Sequence, residues 1–279
     1  MIIFKVFAAI SFLVVIYLLC LKPNSRRHGK LKPFEDTFIA HRGLFDEKLN
    51  IPENSMKAFE RAIEYGFGIE LDVRLTKDKE LVVFHDDSLY RMCGLDKEVF
   101  EYTYSELRNF KLNHLGETIP KLSDVLKLVD SKVPLIIEIK AKQRSLETAK
   151  KLSQVMKGYK GVYCVQSFNP LALGWYRWKC PKALRGQLSS GYSKDANKKC
   201  IFEGLIITYL IFNWYTKPDY IALNFKHESQ LSYKICRKLY KVKNAAWTIK
   251  SQQELEQASK RFQIIIFDNF IPERKIHNI

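Results

Sequence analysis

The chain has 279 residues, of which 47% are hydrophobic, and its 46 Lys and Arg against 30 Asp and Glu give a formal net charge of +16. This length and apolar content suit one large α/β domain with a buried core. A basic surface favours anionic partners such as phospholipid headgroups or phosphorylated substrates, but the Lys and Arg residues are scattered and match no nucleic-acid-binding motif, so we expect no nucleic-acid partner.

The N-terminal segment is the first predicted element. Residues 6–21, VFAAISFLVVIYLLCL, are almost unbroken apolar and have about the length of one bilayer span. The residues before Cys20 are not the small ones that a signal-peptide cleavage site needs. We therefore predict an uncleaved membrane anchor over residues 1–22, followed by a basic linker over residues 23–36; a buried core helix is the alternative.

Positive charge flanks the apolar segment unequally. Five Lys or Arg residues lie within residues 22–33, whereas Lys5 alone precedes the segment. The positive-inside rule therefore predicts a single-pass N-terminal anchor with the main domain in the cytoplasm. N-terminal anchors that export their domains also exist, so the opposite orientation stays open.

From Thr37 the chain alternates short apolar stretches with amphipathic, helix-like sequence, which is typical of parallel βα units. Several helix-like stretches open on a Ser N-cap, and the residues from Ser251 to Glu254 resemble a capping box. The strand candidates are residues 38–41, 68–73, 81–85, 134–140, 162–167, 183–188, 220–224, 245–249 and 263–268.

Nine strands are one more than a (β/α)8 TIM barrel holds. The second and third candidates are separated by about seven residues, whereas a parallel crossover needs roughly a dozen. We therefore predict that residues 81–85 fold back as an antiparallel β-hairpin on residues 68–73, which brings His85 beside Glu70 and Asp72. Eight parallel strands remain for a TIM barrel over residues 37–279, with an insertion over residues 87–122 above its mouth.

Two acidic side chains stand out in the second strand. Glu70 and Asp72 are two residues apart, so both project to one side, while their apolar neighbours face the other. Two adjacent carboxylates in an apolar strand are costly unless a cation lies between them, and a hard divalent cation prefers such oxygen ligands. The spacing alone also fits a half-exposed strand with a polar face.

Further reactive side chains fall at strand ends, where active sites of this barrel type are built. They are His41, Arg42, His85, Glu138 and Lys140. The sequence contains no G-x-S-x-G motif, no Gly-rich phosphate loop and no C-x-x-C pair, which argues against acyl transfer, nucleotide binding and a zinc site. A divalent cation with Arg, Lys and two His instead suits phosphate esters, since one imidazole can accept a proton while the other donates one.

In their order and spacing, these motifs resemble the glycerophosphodiester phosphodiesterase family, within the phospholipase C-like barrel superfamily. The resemblance extends from about Phe38 to Pro272. It rests on His41-Arg42-Gly43, Pro52-Glu53-Asn54-Ser55, Glu70-Leu71-Asp72-Val73, Val82-Val83-Phe84-His85-Asp86 and Glu138-Ile139-Lys140, with weaker echoes at Ser167-Phe168, Trp247-Thr248 and Ile265-Ile266-Phe267-Asp268.

The resemblance implies a TIM barrel with an inserted segment and a division of roles. Glu70, Asp72 and Glu138 would bind the metal, Ca²⁺ or Mg²⁺. His41 and His85 would form the general acid/base pair, and Arg42 and Lys140 would contact phosphate. Glu53, Asn54 and Trp247 would support the pocket. Lys250 and the run from Phe267 to Phe270 depart from the family pattern, which leaves the substrate contacts open.

Three functional readings follow. The first is a membrane-anchored, metal-dependent hydrolase that converts glycerophosphodiesters to an alcohol and glycerol phosphate. The second is lysophospholipase D-like hydrolysis of lysophospholipids, favoured if the apolar stretch 204–215 faces the membrane. The third is a barrel that binds phospholipid headgroups without catalysis, although such a protein has no need for both His41 and His85. The oligomeric state is not predicted.

Overall fold

A computed structural model of the protein describes residues 1–114, 116–140, 145–190 and 208–273. Eight parallel strands close into a barrel, because β1 pairs with β2 on one side and with β9 on the other. The predicted TIM barrel is therefore confirmed, and all nine strand candidates form strands. They are β1 (Ile39–His41), β2 (Gly68–Leu75), β3 (Leu81–Val83), β4 (Leu135–Ile139), β5 (Tyr163–Ser167), β6 (Leu184–Ser189), β7 (Tyr220–Asn224), β8 (Lys243–Ile249) and β9 (Ile264–Phe267).

The predicted hairpin is also present. Strand β3 pairs antiparallel with the end of β2, with Val83 opposite Val73, and the Phe84 amide donates to the Asp72 carbonyl at 2.9 Å. Strand β1 ends at His41, opposite Glu70, so β2 continues past its neighbour and has a free edge there. Strand β3 takes up that edge, which brings His85 to the side of the acidic residues.

Helices surround the barrel, and four of those in the described residues begin at a side-chain cap. Ser55 accepts a hydrogen bond from the Ala58 amide, and Ser251 accepts one from the Glu254 amide. The expected capping box at Ser251 is only half formed, because the Glu254 carboxylate accepts from the amide of Lys250, one residue earlier. The helices of the described residues are α1 (Ile2–Leu21), α2 (Lys32–Glu35), α3 (Met56–Glu64), α4 (Tyr90–Cys93), α5 (Tyr104–Leu107), α6 (Leu122–Val129), α7 (Ser145–Val155), α8 (Pro170–Lys179), α9 (Asn213–Thr216), α10 (Leu231–Lys238) and α11 (Gln252–Ser259).

The barrel interior changes in polarity along the strands. We call the N-terminal ends of the strands the base and their C-terminal ends the mouth. Inward-facing residues near the base, such as Ile39, Ile136 and Ile266, belong to one apolar cluster. The next inward-facing residues on the same strands are His41, Glu138 and Asp268, because side chains alternate between faces. The apolar base thus supports a polar mouth.

The N-terminal segment combines an exposed helix with a segment that lies on the barrel. Helix α1 is long and apolar enough to cross a membrane, with a mean hydropathy of 2.7 over its most apolar 18 residues, none of which is buried. After it, Arg27 forms two hydrogen bonds with the Asp219 carboxylate, at 2.8 and 2.5 Å. Leu31 and Phe34 are fully buried in the apolar cluster at the base of the barrel.

The insertion after β3 has its own small core. Helices α4 and α5 pack with the hairpin through buried side chains that include Phe84, Met92 and Leu107. This packing holds the insertion beside the mouth, where the side chain of Arg91 from α4 reaches residues of the site described below.

We predict that Phe34→Ala lowers the free energy of unfolding by about 3–5 kcal/mol, because it leaves a cavity where a large buried side chain closed the barrel base. Leu49→Ala is the control, since Leu49 is 59% exposed, and it should change stability by less than about 0.5 kcal/mol. Denaturant melts of the two purified variants would measure the difference. Equal stability of both variants would show that Phe34 does not stabilise the base.

Candidate active site

Three carboxylates meet at the barrel mouth. Strands β2 and β4 are paired with Asp72 opposite Glu138, and Glu70 lies one inward position earlier on β2. Each residue offers an oxygen atom within 4.8 Å of the others. All three residues are buried, with at most 6% of their surface exposed. An all-oxygen donor set of this kind suits Mg²⁺ or Ca²⁺.

The electrostatics of the cluster also favour a bound cation. Burial and repulsion by Asp72 and Glu138 raise the pKa of Glu70 well above its usual range, and burial raises the pKa of Glu138. Burial acts in the same direction on Asp72, but Lys140, His85 and Arg42 together hold the pKa of that carboxyl below its usual range.

Lysine and arginine offset only part of this negative charge. The Lys140 Nζ atom lies 2.7 Å from Glu138 Oε1 and 3.3 Å from Asp72 Oδ1, and Arg42 Nε lies 3.5 Å from Asp72 Oδ2. Asp72 Oδ1 accepts no hydrogen bond from the described residues. Two cationic side chains face three carboxylates, so the donor set fits a divalent cation.

Neutral donors orient the acidic side chains. The Arg42 amide and the Gln166 side chain donate to the two oxygens of Glu70, each at 3.2 Å, and Asn54 Nδ2 donates to Asp72 Oδ2 at 3.0 Å. Arg42 and Asn54 both have positive φ angles, of 57° and 55°. Gln166 was not singled out by the sequence, where a lone amide in an apolar strand gives no signal.

His41 is paired with Asp268. Its Nδ1 atom lies 3.0 Å from Asp268 Oδ2, and its Nε2 atom lies 4.0 Å from Glu70 Oε2. Burial lowers the pKa of His41, and the hydrogen bond to Asp268 opposes that effect. Asp268 follows β9, which is adjacent to β1 in the closed barrel. Sequence reasoning noted Asp268 only as part of a weak echo and assigned it no role.

His85 is paired with Asp86 in a matching way. Its Nδ1 atom lies 2.5 Å from Asp86 Oδ1. Arg91 donates to Asp86 at 2.6 Å and to Glu53 at 2.6 Å. Burial raises the pKa of Asp86, but the hydrogen bonds from His85 and Arg91 outweigh it and lower that pKa. Arg74 Nε donates to the His85 carbonyl at 3.0 Å, which holds the backbone behind the imidazole.

The predicted supporting residues lie around the same centre. Glu53 accepts a hydrogen bond from Arg42 Nη1 at 2.8 Å and thereby links Arg42 to Arg91. Trp247 packs edge-to-face on Phe168, with ring centroids 5.8 Å apart. Every residue that the sequence singled out for this site thus lies at the barrel mouth.

These side chains enclose a cavity of about 460 Å³. Its lining combines charged side chains with apolar and aromatic ones. Lys250 and Asn269, which depart from the pattern of the resembled family, also line it. The lining residues are His41, Arg42, Phe45, Glu47, Glu53, Glu70, His85, Glu138, Lys140, Gln166, Phe168, Leu188, Trp247, Thr248, Lys250, Ile266, Asp268 and Asn269.

Comparison with known proteins agrees with this geometry. Residues 41–191, more than half of the chain, match the model of the glycerophosphoryl diester phosphodiesterase family. The chain belongs to this family. The resemblance seen in the sequence motifs is therefore confirmed, and the cavity at the mouth is that of a member of this phosphodiesterase family.

Two relatives of this phosphodiesterase share part of its sequence. A glycerophosphodiester phosphodiesterase from Bacillus altitudinis is 44% identical over 111 residues, which are 37% of this chain and 44% of that protein. Human lysophospholipase D GDPD1 is 32% identical over 162 residues, covering 53% of this chain and 50% of the human protein. The chain thus spans about half the length of the relatives it matches.

Solved structures share the fold. A phosphodiesterase from Oleispira antarctica, solved in complex with its product sn-glycerol-3-phosphate, superposes with a TM-score of 0.67 at 23% identity and covers 83% of this chain and 92% of its own. A glycerophosphodiester phosphodiesterase from Thermotoga maritima gives a TM-score of 0.62 at 24% identity, with 83% and 94% covered. Both similarities establish the barrel architecture.

We predict that Ca²⁺ or Mg²⁺ stabilises this phosphodiesterase family member against heat. A cation bound by the native carboxylates at 100 times its dissociation constant contributes about 2.7 kcal/mol. A domain of this size then melts about 5–10 °C higher than in EDTA. Melting curves of wild type, Asp72→Asn and the control Asp124→Asn, whose half-exposed carboxylate lies in the first turn of α6, would test this. The prediction fails if Asp72→Asn keeps the full cation response.

Proposed function

We propose that the protein hydrolyses glycerophosphodiesters to an alcohol and glycerol phosphate. The observation that carries the proposal is the pair of imidazoles in one cavity. His41 and His85 each bind a carboxylate through Nδ1, and both line the cavity that also contains Glu70 and Glu138. Family membership and the names of the relatives support the same reaction class.

The two histidines would act as a general acid/base pair. When Nδ1–H donates to Asp268 or Asp86, the Nε2 atom of each imidazole stays available for proton transfer. One Nε2 accepts the proton of the attacking hydroxyl as its oxygen bonds to phosphorus. The other Nε2 donates a proton to the leaving oxygen as the phosphorus–oxygen ester bond breaks. No net charge then accumulates on either the nucleophile or the leaving alcohol.

Cationic groups would bind the phosphoryl oxygens. Arg42 and Lys140 line the cavity and are partly neutralised by acidic neighbours. We propose that Glu70, Asp72 and Glu138 hold a divalent cation, Ca²⁺ or Mg²⁺. When bound, that cation supplies positive charge to the phosphate. Glu53 and Asn54 orient Arg42 and Asp72.

The nucleophile has two candidates. Water attack gives glycerol phosphate directly, whereas attack by a free hydroxyl of the glycerol next to the phosphate gives a cyclic phosphate. Phosphorus NMR of the products from glycerophosphocholine distinguishes them, because the cyclic ester and glycerol phosphate have separate resonances. The same spectrum reports which alcohol leaves.

Lysophospholipid hydrolysis is the second candidate function. Phe168, Leu188 and Trp247 give the cavity apolar lining that suits a lipid-like substrate, and human lysophospholipase D GDPD1 is among the relatives.

We also propose that α1 anchors the protein in a membrane with the barrel in the cytoplasm, since positive charge concentrates on the barrel side of α1. Within the apolar stretch 204–215, residues 204–207 lie outside the described part of the chain, Leu210 is buried, and Tyr209 and Trp214 are exposed.

We predict that His41→Ala and His85→Ala each lower kcat for glycerophosphocholine by about 10²–10⁴-fold, because each removes one proton-transfer group. Choline release would measure this, and EDTA should abolish it in wild type. His114→Ala, which changes an exposed histidine of the insertion, is the matched control.

Folding of the histidine variants is checked by their melting temperatures. If both variants fold and retain wild-type turnover, the acid/base assignment is wrong. If wild type binds glycerophosphocholine without releasing choline at any cation concentration, the headgroup-binding alternative replaces the hydrolase.

Asp268→Asn tests the pairing of His41. The amide keeps the shape of the side chain but removes the negative charge that stabilises the protonated imidazole. We expect kcat to fall by at least about tenfold with little change in KM, since acid/base groups contribute about 10²–10⁴-fold in total. Asp124→Asn should leave both constants unchanged. A rise in KM with unchanged kcat would indicate that Asp268 binds substrate instead.

A further inference from the structure

Lys250 lies at the end of β8, where that strand meets the cavity. Ala245 and Trp247 of β8 belong to the cluster inside the barrel, whereas Ile249 belongs to the cluster between the barrel and its helices. A register shift between Ala246 and Ile249 separates the two patterns. Because adjacent side chains point to opposite faces, Lys250 after Ile249 faces the cavity, which it lines.

The backbone around Lys250 is held in place on both sides. Its amide donates to the Glu254 carboxylate at 2.8 Å, and the Glu254 amide donates to the Ser251 hydroxyl at 3.2 Å. The Asp268 amide donates to the Ile249 carbonyl at 3.0 Å, which ties the residue before Lys250 to the end of β9. The exposed side chain of Lys250 therefore starts from a fixed point on the rim of the barrel.

The ammonium of Lys250 differs from the other cationic groups of the cavity. Arg42 and Lys140 each lie within 2.8 Å of a carboxylate oxygen. Among the described residues, Lys250 bonds to a carboxylate only through its backbone amide. The acidic residue Glu47 also lines the cavity, but it follows β1, and β9 lies between β1 and β8. Within that part of the chain, Lys250 thus offers an unpaired ammonium on its side of the mouth.

The order of the strands places this ammonium across the mouth from the three carboxylates. Glu70 and Asp72 on β2 adjoin Glu138 on β4. Strands β9 and β1 separate β8 from β2, and β5, β6 and β7 separate it from β4. Residues of both sides line the same cavity. A diester whose phosphoryl group lies by the carboxylates therefore has room for one of its arms on the β8 side.

The lining on the β8 side gives two opposed expectations for that arm. Aromatic rings such as those of Trp247 and Phe168 suit a quaternary ammonium group, as in choline. Here, however, the two rings pack edge to face, so one ring covers a face of the other. The ammonium of Lys250 repels a cationic arm and attracts an arm that carries a further negative charge. Charge thus favours an anionic arm over choline.

We propose that Lys250 selects the substrate by the charge of the arm that lies beside β8. The preferred substrates are glycerophosphodiesters whose alcohol carries a further phosphate group, and diesters of cationic alcohols such as choline are poorer substrates. Lys250 binds the added phosphate through an ion pair and takes no part in proton transfer. This assignment rests on the proposed phosphodiesterase function and names the substrate class of the same site.

Three diesters that differ in the charge of the alcohol test this selection. They are glycerophosphoinositol 4-phosphate, glycerophosphoinositol and glycerophosphocholine, and phosphorus NMR follows the loss of each diester resonance. For wild type we expect kcat/KM for the phosphorylated inositol diester to exceed that for the unphosphorylated one by about two- to fivefold, the range of an exposed ion pair. Lys250→Met keeps an apolar stem without the charge, so it should remove this preference and raise the relative rate for glycerophosphocholine.

Lys260→Met is the matched control, because Lys260 follows α11 at the end opposite Lys250 and is also exposed. It should leave the ratios of the three rates unchanged. A merely structural role of Lys250 would lower all three rates together, whereas charge selection moves the phosphorylated and the choline diesters in opposite directions. A phosphate preference that survives in Lys250→Met, or a wild type that cleaves glycerophosphocholine best, overturns the proposal.

Failure of the proposed function gives a different result, because wild type would then cleave none of the three diesters. Calorimetric titration of wild type and Lys250→Met with the same diesters and Ca²⁺ then decides the charge preference. Weaker binding of glycerophosphoinositol 4-phosphate by Lys250→Met alone supports it, and equal affinities of the two proteins overturn it. Melting temperatures verify that the variants fold.

Discussion

Three carboxylates enclosed at the barrel mouth repel one another and lose their hydration, and the surrounding structure acts to offset that cost. Lys140 lies between Glu138 and Asp72, and Arg42 approaches Asp72 from the opposite side. The amide of Arg42 and the side chain of Gln166 donate to Glu70, and the side chain of Asn54 donates to Asp72. The arrangement is suited to a divalent cation, and a bound cation would in turn attract an anionic phosphoester.

The barrel supports this charged layer by placing an apolar layer beneath it. On β1, β4 and β9, the residue two positions before each site residue belongs to the cluster at the base. Leu31 and Phe34 close that cluster from below. Because inward-facing positions come in layers, the site residues of different strands share one height. His41 ends β1 and His85 follows β3 by two residues, and both side chains line the cavity at the mouth.

The periodicity of the sequence made most of the barrel and of the site predictable. The two-residue alternation of Glu70 and Asp72, and the connection too short for a crossover, were sufficient to predict the strand and its hairpin. The carboxylates that pair with the two imidazoles differ in how readily the sequence predicts them. Asp86 adjoins His85, but Asp268 meets His41 only because the first and last strands close the barrel. The pair of Arg27 and Asp219 joins residues 192 positions apart and leaves no local signal.

The docking of the chain after α1 also bears on proteolytic processing. A protease that releases a protein from its leader needs an extended and accessible stretch at the cut. Here Leu21 and Pro23 are buried, the Leu21 and Lys22 carbonyls are bonded to barrel side chains, and Asn24 is bonded to Asp219 at 2.7 Å. Shedding of the folded enzyme at this point would require local unfolding first. A cut at this point is therefore easiest before folding, while the segment is still free of these contacts.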